Sequence, residues 1–157
     1  MKIKNDWIIK YLSISQLDDI SRKFNWFPGD LPECDRHSIK QDGIRLPLLV
    51  QQVGNSKFIL VDGFKRLSWL KDFQGKSDKK FQQEKLPCLI IPSIVSIRDV
   101  AKIRLETISE YQNSFSGIHL CKVLKMLSEE GFSKHEIAFG VFPSLGLSSS
   151  LRLAGQL

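Results

Sequence analysis

The stretch Phe58–Gly75, FILVDGFKRLSWLKDFQG, changes from a strand pattern to a helix pattern within a few residues. It opens with a short apolar run. After Gly63 the apolar residues recur every three or four positions, which is the spacing of an amphipathic helix. The stretch therefore predicts a β-strand that passes directly into a helix. The expected inward face of this helix comprises Phe64, Leu67, Leu70 and Phe73, with Trp69 on its flank.

The junction between this strand and helix is rich in charge. A helix N-terminus has unpaired N–H groups and the positive end of the helix dipole, so cations there are unfavourable for helix stability. The same features attract phosphate, and arginine can bind it with two hydrogen bonds. Two interpretations stay open: a phosphate-binding turn, or an ordinary corner in which Asp62 caps the helix and the cations are solvated. The residues of the candidate phosphate-binding turn are Gly63, Phe64, Lys65 and Arg66.

The segment before this junction predicts a helix and a hairpin. A short helix that begins at Asp35 or earlier would end at Gly43, in the left-handed conformation of a C-terminal cap. Leu48–Val53 and Lys57–Val61 are predicted strands, and Gly54–Ser56 has the composition of a hairpin turn.

The two flanks of this central region predict further strands. The nearly all-apolar segment LPCLIIPSI, which begins at Leu86, favours a strand buried on both faces. Near the N-terminus, DWIIKYLSISQL contains a candidate first strand. A short helix is expected to start at Ser15, with Asp18 three positions on.

After residue 95 the apolar spacing becomes helical. Ser96 followed by Asp99 is a capping pair, Ser116 is a candidate cap for a second helix, and Ser133 with Glu136 forms a capping box for a third. The sequence therefore predicts an α+β chain. A small mixed-sheet domain would occupy residues 1–95 and an all-α appendage residues 96–157.

Composition narrows the classes of function. The net charge of +6 and the pI near 9.3 favour polyanionic partners such as nucleic acid or nucleotides. No window approaches the about 18 apolar residues of a membrane span, and no secretory signal is apparent, so a cytoplasmic protein is expected. The three cysteines lack the spacing of a zinc site or disulfide framework, and the three histidines are scattered, so no metal site is predicted.

The order of elements across Ser38–Gly75 resembles the N-terminal domain of the ParB/sulfiredoxin superfamily, and the match spans roughly Ser38 to Ile91. In that family a short helix ending in Gly precedes a P-L-x-V strand, a hairpin and a G-x-[RKH]-R turn that opens a helix. Here PLLV begins at Pro47 and GFKR at Gly63. The resemblance implies DNA binding in plasmid or chromosome partition or in transcription regulation. It also implies that CTP or another nucleotide, with Mg²⁺, is bound and hydrolysed at the turn.

The resemblance extends less closely through Ser96–Leu157, and the sequence also departs from the family pattern at and before the turn. Phe64 stands where ParB proteins usually have Glu, and FPGDLPECDR, with Arg36, stands where they have a Gln-Pro-Arg segment. Dimerisation through regions beyond these residues and association with the nucleoid or a plasmid are further implications. The resemblance suggests a second nucleotide-binding box at Glu106, Glu110 and Asn113, although the arginine of the Glu-Asn-x-x-Arg pattern is absent.

The final segment, FSKHEIAFGVFPSLGLSSSLRLAGQL, resembles a ParB helix-turn-helix. Ile137 and Ala138 would lie on its first helix, and LSSSLRL would form the recognition helix. The alternative is a small helical cap that packs on the first domain. The residues expected to approach DNA are Ser148, Ser149, Ser150 and Arg152.

A second branch of the same fold gives an enzyme as the alternative function. Free-serine kinases of this superfamily carry the turn V-D-G-H-H-R, whose Val, Asp, Gly and Arg are shared by VDGFKR here. By that resemblance Asp62 would orient a metal ion or hydroxyl, and Glu33 would be the general base. A sulfiredoxin-like reductase is not favoured, because the turn carries no cysteine and Cys88 falls in a predicted buried strand.

Overall fold

The computed structural model describes residues 7–18, 23–26, 29–76, 83–109, 117–145 and 147–149. The chain divides into two compact units, Met1–Ile94 and Val95–Leu157. The first combines a mixed sheet with helices, and the described part of the second is helical. The predicted α+β class is confirmed. None of the helices in the described ranges has both the length and the apolar character needed to cross a membrane.

The first unit is built on a five-stranded sheet. Its strands are β1 (Ile8–Ser13), β2 (Leu17–Asp18), β3 (Leu48–Gln52), β4 (Phe58–Asp62) and β5 (Lys85–Ile91). Two helices accompany the sheet: α1 (Glu33–Asp42) and α2 (Phe64–Lys76). The predicted hairpin, the strand-to-helix junction and the end of α1 at Gly43 are therefore confirmed. Gly43 has the expected positive φ of +73°, but its ψ of −175° differs from that of a left-handed helical cap.

The strand order in the sheet is β1-β5-β3-β4-β2. The hairpin partners β3 and β4 are antiparallel, β3 and β5 are parallel, and the short β2 pairs in parallel with β4. Strand β1 pairs antiparallel with β5 along its whole length. Helix α2 contributes Leu67 and Leu70 to the core, whereas Phe64 and Trp69 pack against it while half-buried. The fully buried strand residues of this core are Leu48, Val50, Leu60, Leu86 and Cys88.

The helix predicted at Ser15 does not form. Ile14–Gln16 make one 3₁₀ turn, and the Ser13 backbone N–H donates a 3.0 Å hydrogen bond to the Gln16 side-chain oxygen. Asp18 instead lies in β2, opposite Ile59 of β4. Pairing with β4 satisfies the backbone groups at this edge, and a local capping signal cannot compete with it.

The second unit begins with α3 (Ile97–Ser109) and α4 (Gly117–Glu129). The predicted capping pair is present, since the Asp99 N–H donates to the Ser96 hydroxyl at 3.1 Å. The third helix, α5 (Lys134–Glu136), continues into a π turn at Ile137–Val141 and a 3₁₀ turn at Pro143–Leu145.

The prediction of a recognition helix is wrong over Leu147–Ser149. These residues are not helical, and Ser148 and Ser149 are exposed. Ser150 and Arg152 lie outside the described residues, as does Ser116. The first helix of the expected helix-turn-helix is also shorter than predicted, because the α-helical pattern changes to a π turn at Ile137. Ile137 and Ala138 are nevertheless buried, as the apolar spacing indicates.

Candidate functional site

Gly63 forms the corner between β4 and α2 and has a φ of +99°. A Cβ at this position would lie 2.3 Å from Leu48 Cδ2 and 3.2 Å from Arg66 Nη2. Leu48 is fully buried in β3, so it has little room to move away. The corner therefore requires glycine for backbone conformation and for packing, independently of any ligand.

The Arg66 side chain makes structural contacts with the backbone of a neighbouring loop. Its Nη1 donates a 2.5 Å hydrogen bond to the Leu46 carbonyl, and its Nη2 lies 3.5 Å from the Pro47 carbonyl oxygen. Nη2 also lies 4.0 Å from an Asp62 carboxylate oxygen, and the Arg66 side chain is only 17% exposed. Arg66 thus ties the start of α2 to the loop before β3. Its predicted role as a phosphate ligand stays a prediction.

The loop that Arg66 contacts is also held from its other end. The Gln83 side-chain oxygen accepts a 2.8 Å hydrogen bond from the Ile44 N–H, and its amide nitrogen donates to the Ile44 carbonyl at 3.1 Å. Both ends of residues 44–47 are therefore anchored by long polar side chains. This anchoring gives the Gly63 corner a defined shape.

Lys65 projects from the same turn into a groove. The groove has a volume of about 340 Å³ and lies between α2, the loop Gly29–Leu31 and Arg36 of α1. Within the described part of the chain, the Lys65 ammonium has no acidic group within ion-pair distance. An unneutralised cation in the first turn of a helix is unfavourable, and a bound anion would remove that cost. The complete lining comprises Gly29, Asp30, Leu31, Arg36, Lys65, Ser68, Trp69, Asp72, Phe73 and Lys76.

Arg36 organises the opposite wall of the groove. Its Nε donates a 2.6 Å hydrogen bond to the Leu31 carbonyl. Its guanidinium nitrogens lie 3.7 Å from carboxylate oxygens of Asp30 and Glu33, both of which are largely exposed. Exposed pairs of this length are weak, so an incoming phosphate can compete for the guanidinium.

The two candidate catalytic carboxylates occupy different places. Asp62 lies at the end of β4 beside Arg66, and Glu33 lies at the start of α1 beside Arg36. Neither carboxylate is buried. The contacts of Asp62 and Glu33 are those of ion-pair partners for the two arginines. Their catalytic roles stay predictions.

Sequence reasoning identified Lys65 but missed most of the groove. Lys65, Trp69, Asp72 and Lys76 follow the helical spacing of three or four, so the polar face of α2 could have been read as one surface. The contribution of the loop Gly29–Leu31 to the groove could not have been predicted from the sequence, because its approach to α2 depends on tertiary packing. Phe64, expected in the turn, packs against the core.

The remaining predicted site residues belong to the second unit. Glu106 lines a separate groove of about 470 Å³, together with Lys102, Phe132, His135 and Phe139. Glu110 and Asn113 lie outside the described residues. Ser148 and Ser149 are exposed, and their approach to DNA stays a prediction.

No protein-family model and no curated protein matches the sequence. Among solved structures, one crystal form of a pNOB8-like ParB-N domain matches with a TM-score of 0.53 at 14% identity, over 79% of this chain and 45% of that chain. A second pNOB8-like ParB N-domain structure matches with a TM-score of 0.50 at 15% identity, over 79% of this chain and 42% of that chain.

A third structure is the C-terminally truncated chromosome-partitioning protein ParB from Caulobacter crescentus, complexed with CTP-gamma-S. It matches over 92% of this chain and 74% of that chain at 18% identity, with a TM-score of 0.43. The two pNOB8-like structures show that this chain has the fold of a ParB N-domain, as the sequence resemblance predicts. The chain spans less than half the length of either of them.

Proposed function

We propose that the protein is a ParB-like DNA-binding protein, acting in plasmid or chromosome partition or in transcription regulation, with a phosphate-binding groove for a nucleotide. The observation that carries the nucleotide site is the position of Lys65. It faces a groove that also contains Arg36, and it has no acidic partner among the residues that the structure describes. The ParB N-domain fold and the basic composition support the same proposal.

The proposal assigns different roles to the two cations of the turn. Lys65 and Arg36 neutralise phosphate oxygens, while the unpaired N–H groups at the start of α2 complete the phosphate contacts. Arg66 holds the turn in shape through the Leu46 carbonyl. The nucleotide is CTP-like by the sequence resemblance alone.

Magnesium would enter this site with the nucleotide. Among the described residues, no group of three or more His, Cys, Asp or Glu side chains is placed to hold a metal ion. Nucleotide-bound Mg²⁺ needs only one or two protein carboxylates, because phosphate oxygens and water supply the other ligands. Asp30, on the groove wall, fits that limited requirement. The ion would neutralise phosphate charge.

Calorimetry with CTP, ATP and ADP tests the phosphate site. We expect Lys65→Ala to weaken nucleotide binding by about tenfold or more, since a charge-assisted contact contributes roughly 1.5–3 kcal/mol. Lys57→Ala is the matched control, because Lys57 is an exposed lysine that does not line the groove. Absence of binding by the unmodified protein, or equal affinities for the two variants, contradicts the proposal.

Fluorescence anisotropy with duplex DNA tests the proposed DNA binding. Because phosphate contacts release counterions, five such contacts predict a loss of about 500-fold in affinity between 50 and 200 mM salt. Arg152→Ala is expected to weaken binding and to reduce the salt slope by about one. No binding at low salt, or affinity that is independent of salt, excludes DNA as the partner.

A nucleotide-dependent small-molecule kinase is the second candidate. It is favoured by the position of Glu33, whose carboxylate lies 3.7 Å from the guanidinium of Arg36, a residue that lines the groove. Labelled ATP or ADP with free serine separates the two functions. Phosphoserine formation that is lost in Glu33→Gln supports the kinase, whereas nucleotide hydrolysis stimulated by DNA supports the partition protein.

A further inference from the structure

Two aromatic rings lie on the wall of the groove that contains Lys65. The Trp69 and Phe73 rings stack with their centroids 4.9 Å apart and their planes inclined by 10°. Both side chains are half-buried, and both line the groove. They lie one and two helical turns from Lys65 on the same face of α2.

Trp69 packs against the hydrophobic core cluster of the first unit, and Phe73 is not one of the residues of that cluster. Leu67 and Leu70 are the fully buried residues of α2, and Trp69 packs against the core with only part of its surface. The groove around the rings is otherwise polar, with Asp72 and Lys76 beside them. Aromatic surface beside cations is the combination with which proteins hold nucleic acid bases and phosphates together.

We propose that this groove binds both the base and the phosphates of a nucleotide. The base stacks on the Trp69–Phe73 pair, and the phosphates contact Lys65 and Arg36. This inference rests on the proposed phosphate site and specifies what that site binds. Phe73 follows Lys65 by about eight positions, which corresponds to about 12 Å along the helix axis. The groove is thus long enough to hold phosphates at one end and a base at the other.

Stacking determines which nucleotides bind. Every base has a π face, so a stacking platform discriminates weakly between bases. Purines cover more ring surface than pyrimidines, so ATP binds at least as tightly as CTP. The Asp72 carboxylate, beside the rings, is an acceptor for a ribose hydroxyl or an exocyclic amino group.

Calorimetry with ATP, CTP and inorganic tripolyphosphate on the full chain tests the stacking. We expect Trp69→Leu to weaken ATP binding by about 5- to 150-fold, the range that corresponds to one stacked base, and to leave tripolyphosphate binding unchanged. Trp69→Phe retains a ring and recovers most of the lost affinity. If Trp69→Leu fails to fold, as judged by circular dichroism, Phe73→Leu replaces it with the same expectation.

Three outcomes overturn the stacking and leave the phosphate site intact. They are unchanged ATP affinity in Trp69→Leu, equal losses for ATP and tripolyphosphate, and CTP binding more than tenfold tighter than ATP. A wild-type protein that binds neither nucleotide nor tripolyphosphate overturns the proposed phosphate site itself. The tripolyphosphate measurement therefore separates the failure of the two proposals.

Discussion

Lys65 and Arg66 are adjacent cations in the turn that follows Gly63, but their side chains have different surroundings. Arg66 donates to the Leu46 carbonyl and is largely buried, whereas Lys65 faces an open groove. From the sequence alone the two cations are equivalent candidates for phosphate binding. The difference arises because the Leu46 and Pro47 carbonyl oxygens of the loop before β3 lie within reach of the Arg66 guanidinium, and that arrangement depends on tertiary contacts.

Stability measurements distinguish the two cations. Arg66→Ala is expected to lower the free energy of unfolding by about 1.5–3 kcal/mol, because the Leu46 carbonyl loses a charged donor. Lys65→Ala is expected to change it by less than about 0.5 kcal/mol or to increase it slightly, since it removes a cation from a helix N-terminus. Urea unfolding of the nucleotide-free protein measures both. Equal destabilisation by the two substitutions would contradict the assignment.

Gly63→Ala is expected to be strongly destabilising. A positive φ costs a non-glycine residue about 1–2 kcal/mol, and the clash with Leu48 adds about 1–3 kcal/mol of overpacking. Gly75→Ala, in the same helix, is the control: among the described residues, a Cβ there meets no atom within 4 Å outside its own helix backbone, and alanine favours the helix by up to about 1 kcal/mol. Thermal unfolding should move in opposite directions for the two variants, and a shared direction would refute this account.

At the scale of elements, the sequence predicted correctly those turns and caps that depend only on adjacent residues. The hairpin between β3 and β4, the end of α1 at Gly43 and the capping box at Ser133 each depend on a few adjacent residues, and each is present. Strand β2 has two residues and depends on its pairing with β4. The π turn at Ile137–Val141 has no local sequence signal that distinguishes it from an α-helix.

The start of α5 should be sensitive to acid. The Ser133 backbone N–H donates to the Glu136 carboxylate at 2.9 Å, and the hydroxyl of Ser133 and the guanidinium of Arg98 also donate to it. These hydrogen bonds, first those from Ser133, lower the pKa of Glu136. The carboxylate therefore stabilises the fold above the usual glutamate pKa of about 4.3, and this contribution is lost as the pH falls through the lowered value.

Glu136→Gln tests this contribution. The wild-type melting temperature should fall further between pH 6 and pH 3 than that of Glu136→Gln, with Glu129→Gln, an exposed glutamate of α4, as the control. Ser133→Ala should cost about 1 kcal/mol at neutral pH, since it removes the helix cap. A pH dependence that is identical in wild type and Glu136→Gln would remove Glu136 from this role.

At the scale of the whole molecule, the sequence predicted the fold better than the groove. The hydrophobic pattern determines which strands and helices form, and the ParB-like order of elements follows from it. The groove requires the loop Gly29–Leu31 and Arg36 to meet α2. That contact depends on packing between segments distant in sequence, and spacing within α2 does not reveal it. The net charge of +6 predicts anionic partners but does not locate where they bind.

The buried Cys88 provides a probe of unfolding in the first unit, and the exposed Cys34 and Cys121 serve as references. Cys88 is fully buried in β5, and burial raises the pKa of its thiol to about 11, whereas Cys34 and Cys121 are exposed. Since the thiolate is the reactive species, a thiol reagent at pH 8 should label Cys34 and Cys121 rapidly and Cys88 only when the sheet opens. The labelling rate of Cys88 should rise with urea in parallel with loss of circular dichroism. Cys88→Ala should lose this slow phase alone, and equally fast labelling of all three thiols in native buffer would show that β5 is not protected.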